Sequence, residues 1–370
     1  MAIPSAPVQA LQPVEGTASA PEQRYQALDS MRGFVMLVLV SGGFGLGSLI
    51  RNPKYQSLAT QFVHRPWEGL VLWELIMPAF MFMVGASLPF ALARRLARGA
   101  TFRQNLRHIA GRALRLILLG QFLTTLHAGH YWYEPYETLT QLGVSYFCAF
   151  LILQLPFRWQ IVVAGLSLFV NWGLYVLFPG STGPFSPNDN IGVVIDKAVF
   201  GLNHAGSWAT INFLGSAITV LFGSWTGMLL MSQRSHIEKV RVLGGVIVAC
   251  FVLTFAFRPF VPIIHKAWTI TFTFVHTGCV LLAVLIFFWL VDMKGYRWLA
   301  FPLVVVGLNS IFIYMLRETM NHWLDESVGA FTYRFQFLGD IGPAVQTCAI
   351  MLVLWYACYW LYKRKIFFKI

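Results

Sequence analysis

The chain has 370 residues, 57% of them hydrophobic and 11% charged, and a formal net charge of +12. Soluble domains carry about 25% charged residues, so this composition argues against a soluble protein. The positive balance does not indicate nucleic acid. Most basic residues lie in short loops between apolar runs, where membrane topology by itself places them.

Residues 1–23 are rich in Ala, Pro, Gln and Ser, without the basic start and apolar core of a secretory signal. They read as a disordered tail, and 24–370 as one transmembrane domain. Apolar runs of spanning length then recur to the end of the chain. Ten are expected, near 31–50, 69–92, 109–126, 139–155, 160–178, 210–231, 241–257, 270–291, 299–317 and 343–361. The fold class is therefore all-α, a polytopic membrane protein of about ten helices. The longest outer loop, near 179–209, has the length of a lid or acceptor-binding loop. Cys148, Cys250, Cys279, Cys348 and Cys358 all fall in apolar runs and read as packing residues, spaced for neither a disulfide framework nor a metal site.

Ten spans place both termini on one side. With the termini cytoplasmic, only Arg51, Lys54, Arg65, Lys197, Arg258, Lys266, Arg317 and Arg334 face outward, leaving 19 of the 27 basic residues inside. Histidine is biased the other way. His64, His127, His130, His204, His265 and His322 fall in outer loops and His276 in an outer half-span, against His108 and His236 inside. Imidazole exchanges protons near neutral pH, so the bias points to acid–base work at the outer mouth.

Residues 61–85, QFVHRPWEGLVLWELIMPAFMFMVG, are the most telling segment. His64 stands just before an apolar run and Glu74 lies ten residues on, inside it. Ionisable groups at membrane depth are rare and usually functional. They are the candidate catalytic residues. Glu74 either orients an imidazole or polarises an acceptor, or it is a protonated, hydrogen-bonded buried acid. Asp29 and Arg32 read as an i, i+3 ion pair. There is no phosphate loop, no dinucleotide fingerprint and no nucleophile elbow.

Several blocks occur together: LDSMRGFVMLVLV (28–40), HRPWEGLVLWELIMPAFMFMVGASLPFALARR (64–95), TLTQLGVSYF (138–147), WATINFLGSAITVLFGSWTGMLL (208–230), KAWT (266–269), LVDMKGYRWLAFPLVVVGLNSIFIYML (290–316) and YKRKIFFKI (362–370). In this order the chain resembles the heparan-α-glucosaminide N-acetyltransferase family, with its bacterial relatives of unassigned substrate, from about Asp29 to the C-terminus. The resemblance implies a transmembrane acyltransferase that takes acetyl from cytoplasmic acetyl-CoA and delivers it to a sugar acceptor, amine or hydroxyl, on the far side. His64, Trp67 and Gly69 match the family's active-histidine motif, and Glu74 stands where the family has Asp. Two positions depart from the eukaryotic branch. Ser41 lies in VSGGFG, where that branch has Asn, and Leu139-Thr140-Gln141 replaces Leu-Gln-Arg.

On this reading Arg112 and Arg115, at the entry to the third span, are placed to grip the phosphates of coenzyme A, because Arg meets phosphate in bidentate geometry. Topology and anionic lipid account for the same arginines otherwise. Lys266 and Trp268 gain interest from the family match, and Asn309 is a buried amide that meets either another helix or the donor. His64 serves either as base or as an acetyl carrier. No metal is expected, nor nucleic acid. The implied setting is a bacterial inner membrane, with membrane lipids as neighbours and a homodimer as the expected assembly. The rival reading is a multi-helix transporter or flippase without chemistry, against which the absence of internal repeats counts.

Overall fold

The computed structural model describes residues 25–368; the expected disordered tail lies outside them. The described residues form helices and turns, with one isolated antiparallel bridge from Gly180 to Gly183. The α-helices in order are α1 (Gln26–Val40), α2 (Gln56–Thr60), α3 (Ile76–Ala97), α4 (Phe102–Ala128), α5 (Thr138–Leu153), α6 (Phe157–Leu177), α7 (Ile191–Phe200), α8 (Phe213–Met231), α9 (His236–Phe257), α10 (Ile270–Phe287), α11 (Arg297–Leu308), α12 (Ser310–Thr319), α13 (Asn321–Thr332) and α14 (Gly342–Lys363).

Seven helical segments among the described residues are long and apolar enough to cross a bilayer: Leu72–Ala97, Phe102–Ala128, Phe157–Leu177, Thr210–Met231, His236–Phe257, Ile270–Met293 and Phe337–Lys363. The all-α membrane class is thus met. The other three expected spans take different forms. α1 has 15 residues and α5 has 16, short of the roughly 20 that span a bilayer. The expected run over 299–317 is two helices, α11 and α12, bent by 63° at Asn309. The first span stops at Val40 rather than near residue 50, for a local reason. Gly42, Gly43, Phe44 and Gly45 all have positive φ, between 53° and 69°. Three glycines make that left-handed turn accessible, and a right-handed helix cannot pass through it.

By contact the described chain divides into two compact units. The first comprises Pro66–Leu70 and Met81–Leu282. In it α5 packs on α4 and on α8, and α6 also packs on α8. α3 and α8 approach backbone to backbone: a Cβ on Gly223 would lie 2.0 Å from the Phe82 carbonyl oxygen, and one on Gly85 2.0 Å from that of Val220. The Ser224 hydroxyl donates to the Gly85 carbonyl at 3.1 Å across this seam. Small residues let membrane helices pack this closely. α4 opens with a capping box, Thr101 with Gln104, and α9 with another, Ser235 with Glu238.

The second unit comprises Tyr25–Arg65, Val71–Phe80 and, from Ala283, the rest of the described chain. Its core seam is α1 on α11, with Gly307 pressed against the Asp29 carbonyl and Gly33 against that of Leu303. Asp29 and Arg32 form the expected pair at 3.5 Å, and the same guanidinium donates to the Gly307 carbonyl at 3.4 Å. The five cysteines are free thiols.

Candidate functional site

His64 lies on the chain between α2 and the short 3-10 turn Leu72–Leu75 that leads into α3. The connection folds back on itself. The Trp73 amide donates to the Gln61 carbonyl at 2.9 Å, and the Arg65 amide donates to Glu74 Oε1 at 2.9 Å. Those bonds place Trp73 beside His64. The indole Nε1–H donates to His64 Nε2 at 3.0 Å, and the two rings meet edge to face with centroids 6.1 Å apart. An indole N–H only donates, so Nε2 presents its lone pair and the assigned tautomer carries its proton on Nδ1. His64 is exposed, whereas Glu74 is 3% exposed. A ring nitrogen of His64 and a carboxylate oxygen of Glu74 lie within 4.8 Å of each other. The two residues expected from the sequence are thus brought together in one unit. Trp73, which engages the imidazole, escaped the sequence reading; its only signal was a tryptophan nine residues past the histidine.

In the first unit, the segment that follows His64 is tied to the loop between α6 and α8 and to the connection between α9 and α10. Trp67 Nε1 donates to the Phe185 carbonyl at 2.8 Å, and the Gly69 amide donates to that of Ile263 at 2.9 Å. Lys266 Nζ donates to the carbonyls of Pro66 (3.0 Å) and Gly206 (2.8 Å), 5.6 Å over the Trp208 ring. Lys266 is therefore a strap across these segments. Trp268 is 1% exposed with φ of 47°, its indole donating to the Thr219 hydroxyl at 3.3 Å. Asn309, in the second unit, spends its amide on the C-terminal segment, giving Nδ2 to the Ile366 carbonyl at 3.1 Å and accepting from the Phe368 amide at 2.9 Å. It sits at the α11–α12 bend as a helix-break residue.

Arg112 is half-buried on α4. Its Nη1 donates to the Tyr146 hydroxyl at 3.2 Å, its guanidinium lies 4.9 Å over that ring, and its buried Nε has no partner among the described residues. Arg115 is exposed one turn further along. Closer to the α3–α4 turn, Arg95, Arg98, Arg107 and His108 line a cleft of about 510 Å³ together with Gly99, Ala100 and Gln104. Arg95 anchors it, Nε donating to Asn105 Oδ1 at 2.7 Å. The tight turn after α3 brings basic residues from two helices together; sequence alone gave a run of arginines with no indication of which share a pocket.

A family model described as "Domain of unknown function (DUF5009)" matches residues 24–221. The match includes His64, Glu74, Arg112 and Arg115, and excludes Lys266, Trp268 and Asn309. Among curated proteins, the heparan-alpha-glucosaminide N-acetyltransferase of Homo sapiens is 23% identical over 97% of this chain, and that of Mus musculus is 23% identical over 96%. The chain spans 62% of the length of each of these relatives.

Proposed function

We propose that this chain, which belongs to the DUF5009 family, is a transmembrane acetyltransferase that passes acetyl from cytoplasmic acetyl-CoA to a sugar acceptor on the outer side. The observation that carries the reading is the His64–Trp73–Glu74 arrangement: an exposed imidazole oriented by an indole donor, beside a carboxylate buried at the head of a membrane helix. The similarity to two N-acetyltransferases supports it.

In this mechanism the acceptor nitrogen or oxygen attacks the thioester carbonyl and the carbon–sulfur bond breaks. His64 removes the acceptor's proton at Nε2 after that nitrogen exchanges its hydrogen bond from the Trp73 indole for one from the acceptor, and the departing thiolate takes up a proton in turn. An acetyl-histidine intermediate divides the same transfer into two steps. Glu74, adjacent to the imidazole, is a positioning residue that holds its orientation and balances its charge.

The seven long spans, α1, α5 and the bent α11–α12 pair together make ten crossings, with both termini cytoplasmic by the distribution of basic residues. α4 has 27 residues; at about 1.5 Å per residue that is roughly 40 Å, against about 30 Å of hydrocarbon. Its first turns, with Arg103, Arg107 and His108, therefore stand in the inner aqueous layer. Donor phosphates meet the basic cleft there, with Arg112 and Arg115 on the way inward. Lys266 holds the outer loop closed over the segment after His64, and needs no donor contact to do so.

The test is saturable binding and slow hydrolysis of radiolabelled acetyl-CoA by the full-length protein in detergent, beside His64→Ala and Glu74→Gln. His64→Ala is expected to lower loss of the acetyl group by a factor of 10² or more, the usual scale for a positioned acid–base group. Glu74→Gln keeps an oxygen for the Arg65 amide and is expected to slow the reaction at least tenfold. Wild-type turnover in a folded His64→Ala protein would remove His64 from the mechanism. An absence of binding at millimolar acetyl-CoA would favour the transporter reading, for which the broken α11–α12 segment is the supporting feature.

A further inference from the structure

We propose that the basic cleft at the α3–α4 turn seats the phosphate of an anionic phospholipid, whose acyl chain runs down the exposed apolar face of α4. The site lies within the first unit and stands whether or not the chain transfers acetyl.

The cleft follows from how α3 stops and α4 starts. Gly99, with φ of 78°, ends α3 in a left-handed turn, and the Ala100 amide donates back to the Arg95 carbonyl at 3.0 Å. Thr101 then opens α4 through its capping box with Gln104. Residues 98–101 alone separate the two helices, so Arg95 reaches across. Besides its bond to Asn105, its Nη2 donates to the Gln104 carbonyl at 3.3 Å. That clamp makes Arg95 the fixed wall of the cleft. Arg98, Arg107 and His108 stand exposed around its volume of about 510 Å³, which is within the range of small-molecule sites. A Cβ on Gly99 would meet nothing within 4 Å, so the rim is open there.

The charge here is not neutralised locally. Between Glu74 and Glu134 the sequence holds seven arginines and no acidic residue. Neither Arg98 nor Arg107 forms an ion pair among the described residues. A cluster of guanidinium groups around an open cleft calls for an anion, and phosphate matches their bidentate geometry.

What favours a lipid over a free phosphate lies further along α4. At about 100° per residue, Leu114 and Leu118 stand within about 20° of Arg107 on the helix face. They are 55% and 59% exposed. From Arg107 to Leu118 the helix rises about 16 Å, against roughly 15 Å for one leaflet of a 30 Å hydrocarbon core. One face of α4 therefore presents a cation at headgroup depth and leucines along the length of a single acyl chain. A free phosphate uses only the first; a phospholipid uses both. Basic pockets between membrane helices hold anionic headgroups in this way. On the acetyl-transfer reading donor phosphates enter the same cleft, so lipid and donor exclude each other there.

The experiment measures phosphatidylglycerol binding to the full-length protein in neutral detergent by native mass spectrometry. Saturable binding is expected, with phosphatidylcholine of the same chains binding at least tenfold more weakly. Arg98→Gln with Arg107→Gln is expected to weaken phosphatidylglycerol at least tenfold, since the loss of each cation costs about fivefold. Leu114→Asn with Leu118→Asn keeps the charge and is expected to weaken the lipid threefold or more. Glycerol phosphate, the headgroup without chains, is expected to compete at least tenfold less well than the lipid. Equal affinity for the two lipids would overturn the proposal, as would unchanged phosphatidylglycerol affinity in either folded double variant. Competition by glycerol phosphate as strong as by the lipid would make the cleft a free-phosphate site and overturn it too. Acetyl-CoA binding is measured separately on lipid-free protein. Lipid binding without acetyl-CoA binding keeps the site and retires the transfer reading. Acetyl-CoA binding without phosphatidylglycerol binding retires the lipid site alone. Binding of both without competition would overturn their mutual exclusion.

Discussion

Replacing Arg112 with alanine separates a donor-binding role from a structural one. Its guanidinium is held by the Tyr146 hydroxyl at 3.2 Å and by the ring face at 4.9 Å, while its buried Nε has no partner among the described residues. If the free edge of the guanidinium binds a donor phosphate, a charge-assisted hydrogen bond of about 1.5–3 kcal/mol is lost. At 1.4 kcal/mol per factor of ten, KM for acetyl-CoA rises roughly 10- to 100-fold. The rate at saturation stays nearly constant, because the phosphates are remote from the reacting carbonyl and are held equally in ground and transition states. If Arg112 only braces Tyr146, the loss is a cation–π contact and a hydrogen bond, together about 1–3 kcal/mol of stability, with KM unchanged. Tyr146→Phe completes the test. It removes the hydroxyl but keeps the ring, and is expected to raise KM about two- to fivefold through a loosened guanidinium, on the scale of about 0.5–1 kcal/mol for a neutral hydrogen bond. Initial rates of acetyl-CoA hydrolysis and a melting curve are needed for each variant. A lowered melting temperature with unchanged KM in Arg112→Ala would refute the phosphate contact.

Three other outcomes follow from the geometry. Trp73→Phe keeps the edge-to-face contact with His64 but removes the indole donor, and about 1 kcal/mol of orientation lost slows acetyl transfer roughly fivefold; a rate equal to wild type would show that the indole does not set the imidazole. Gly223→Ala puts a Cβ 2.0 Å from the Phe82 carbonyl oxygen, so α3 and α8 must part by more than 1 Å; overpacking of this kind costs about 1–3 kcal/mol, and an unchanged melting temperature would contradict the close seam. Hydrogen bonds from Ser186 and then Ser181 hold the Asp189 carboxyl below the usual carboxylate range. A depressed carboxyl contributes stability above its unfolded pKa and loses it as pH falls through the folded value. The Ser181 amide, which donates to Asp189 Oδ2 at 2.7 Å, is therefore expected to keep its hydrogen-exchange protection down to about pH 4 and lose it below; loss at pH 6 would mean that the loop is not held by this carboxylate.

Apolar run length found the helices well because bilayer thickness is a one-dimensional constraint that sequence carries directly. It failed at two kinds of place. One is the end of α1, where the run of apolar residues continues past Val40 but Gly42, Gly43 and Gly45 turn the backbone left-handed; hydropathy cannot register a change of φ. The other is the break at Asn309, where each half is apolar and only the polar amide, spent on Ile366 and Phe368, marks the bend. Side-chain groups divide in the same way. His64 and Glu74 were legible because charge is costly beside an apolar run. The pairing of Asp196 with His204 was not, because the acid lies on α7 and the histidine eight residues on in the loop that follows, and only the left-handed turn at Gly201 brings them together.

That difference bears on how the chemistry is distributed. On the proposed function, the donor side would draw on residues whose cost is visible in sequence, the arginines at the mouth of an apolar helix. The acceptor side, if it is the 179–209 loop, would draw on a segment where positioning residues cost little and can change without disturbing a span. Such an arrangement would keep the proposed acetyl-handling histidine on a helix-anchored turn and leave acceptor choice to the 179–209 loop. Exchanging that loop between family members should then move acceptor preference while leaving KM for acetyl-CoA in place; a chimera whose KM for acetyl-CoA shifts tenfold, with acceptor preference unchanged, would show that the division is wrong.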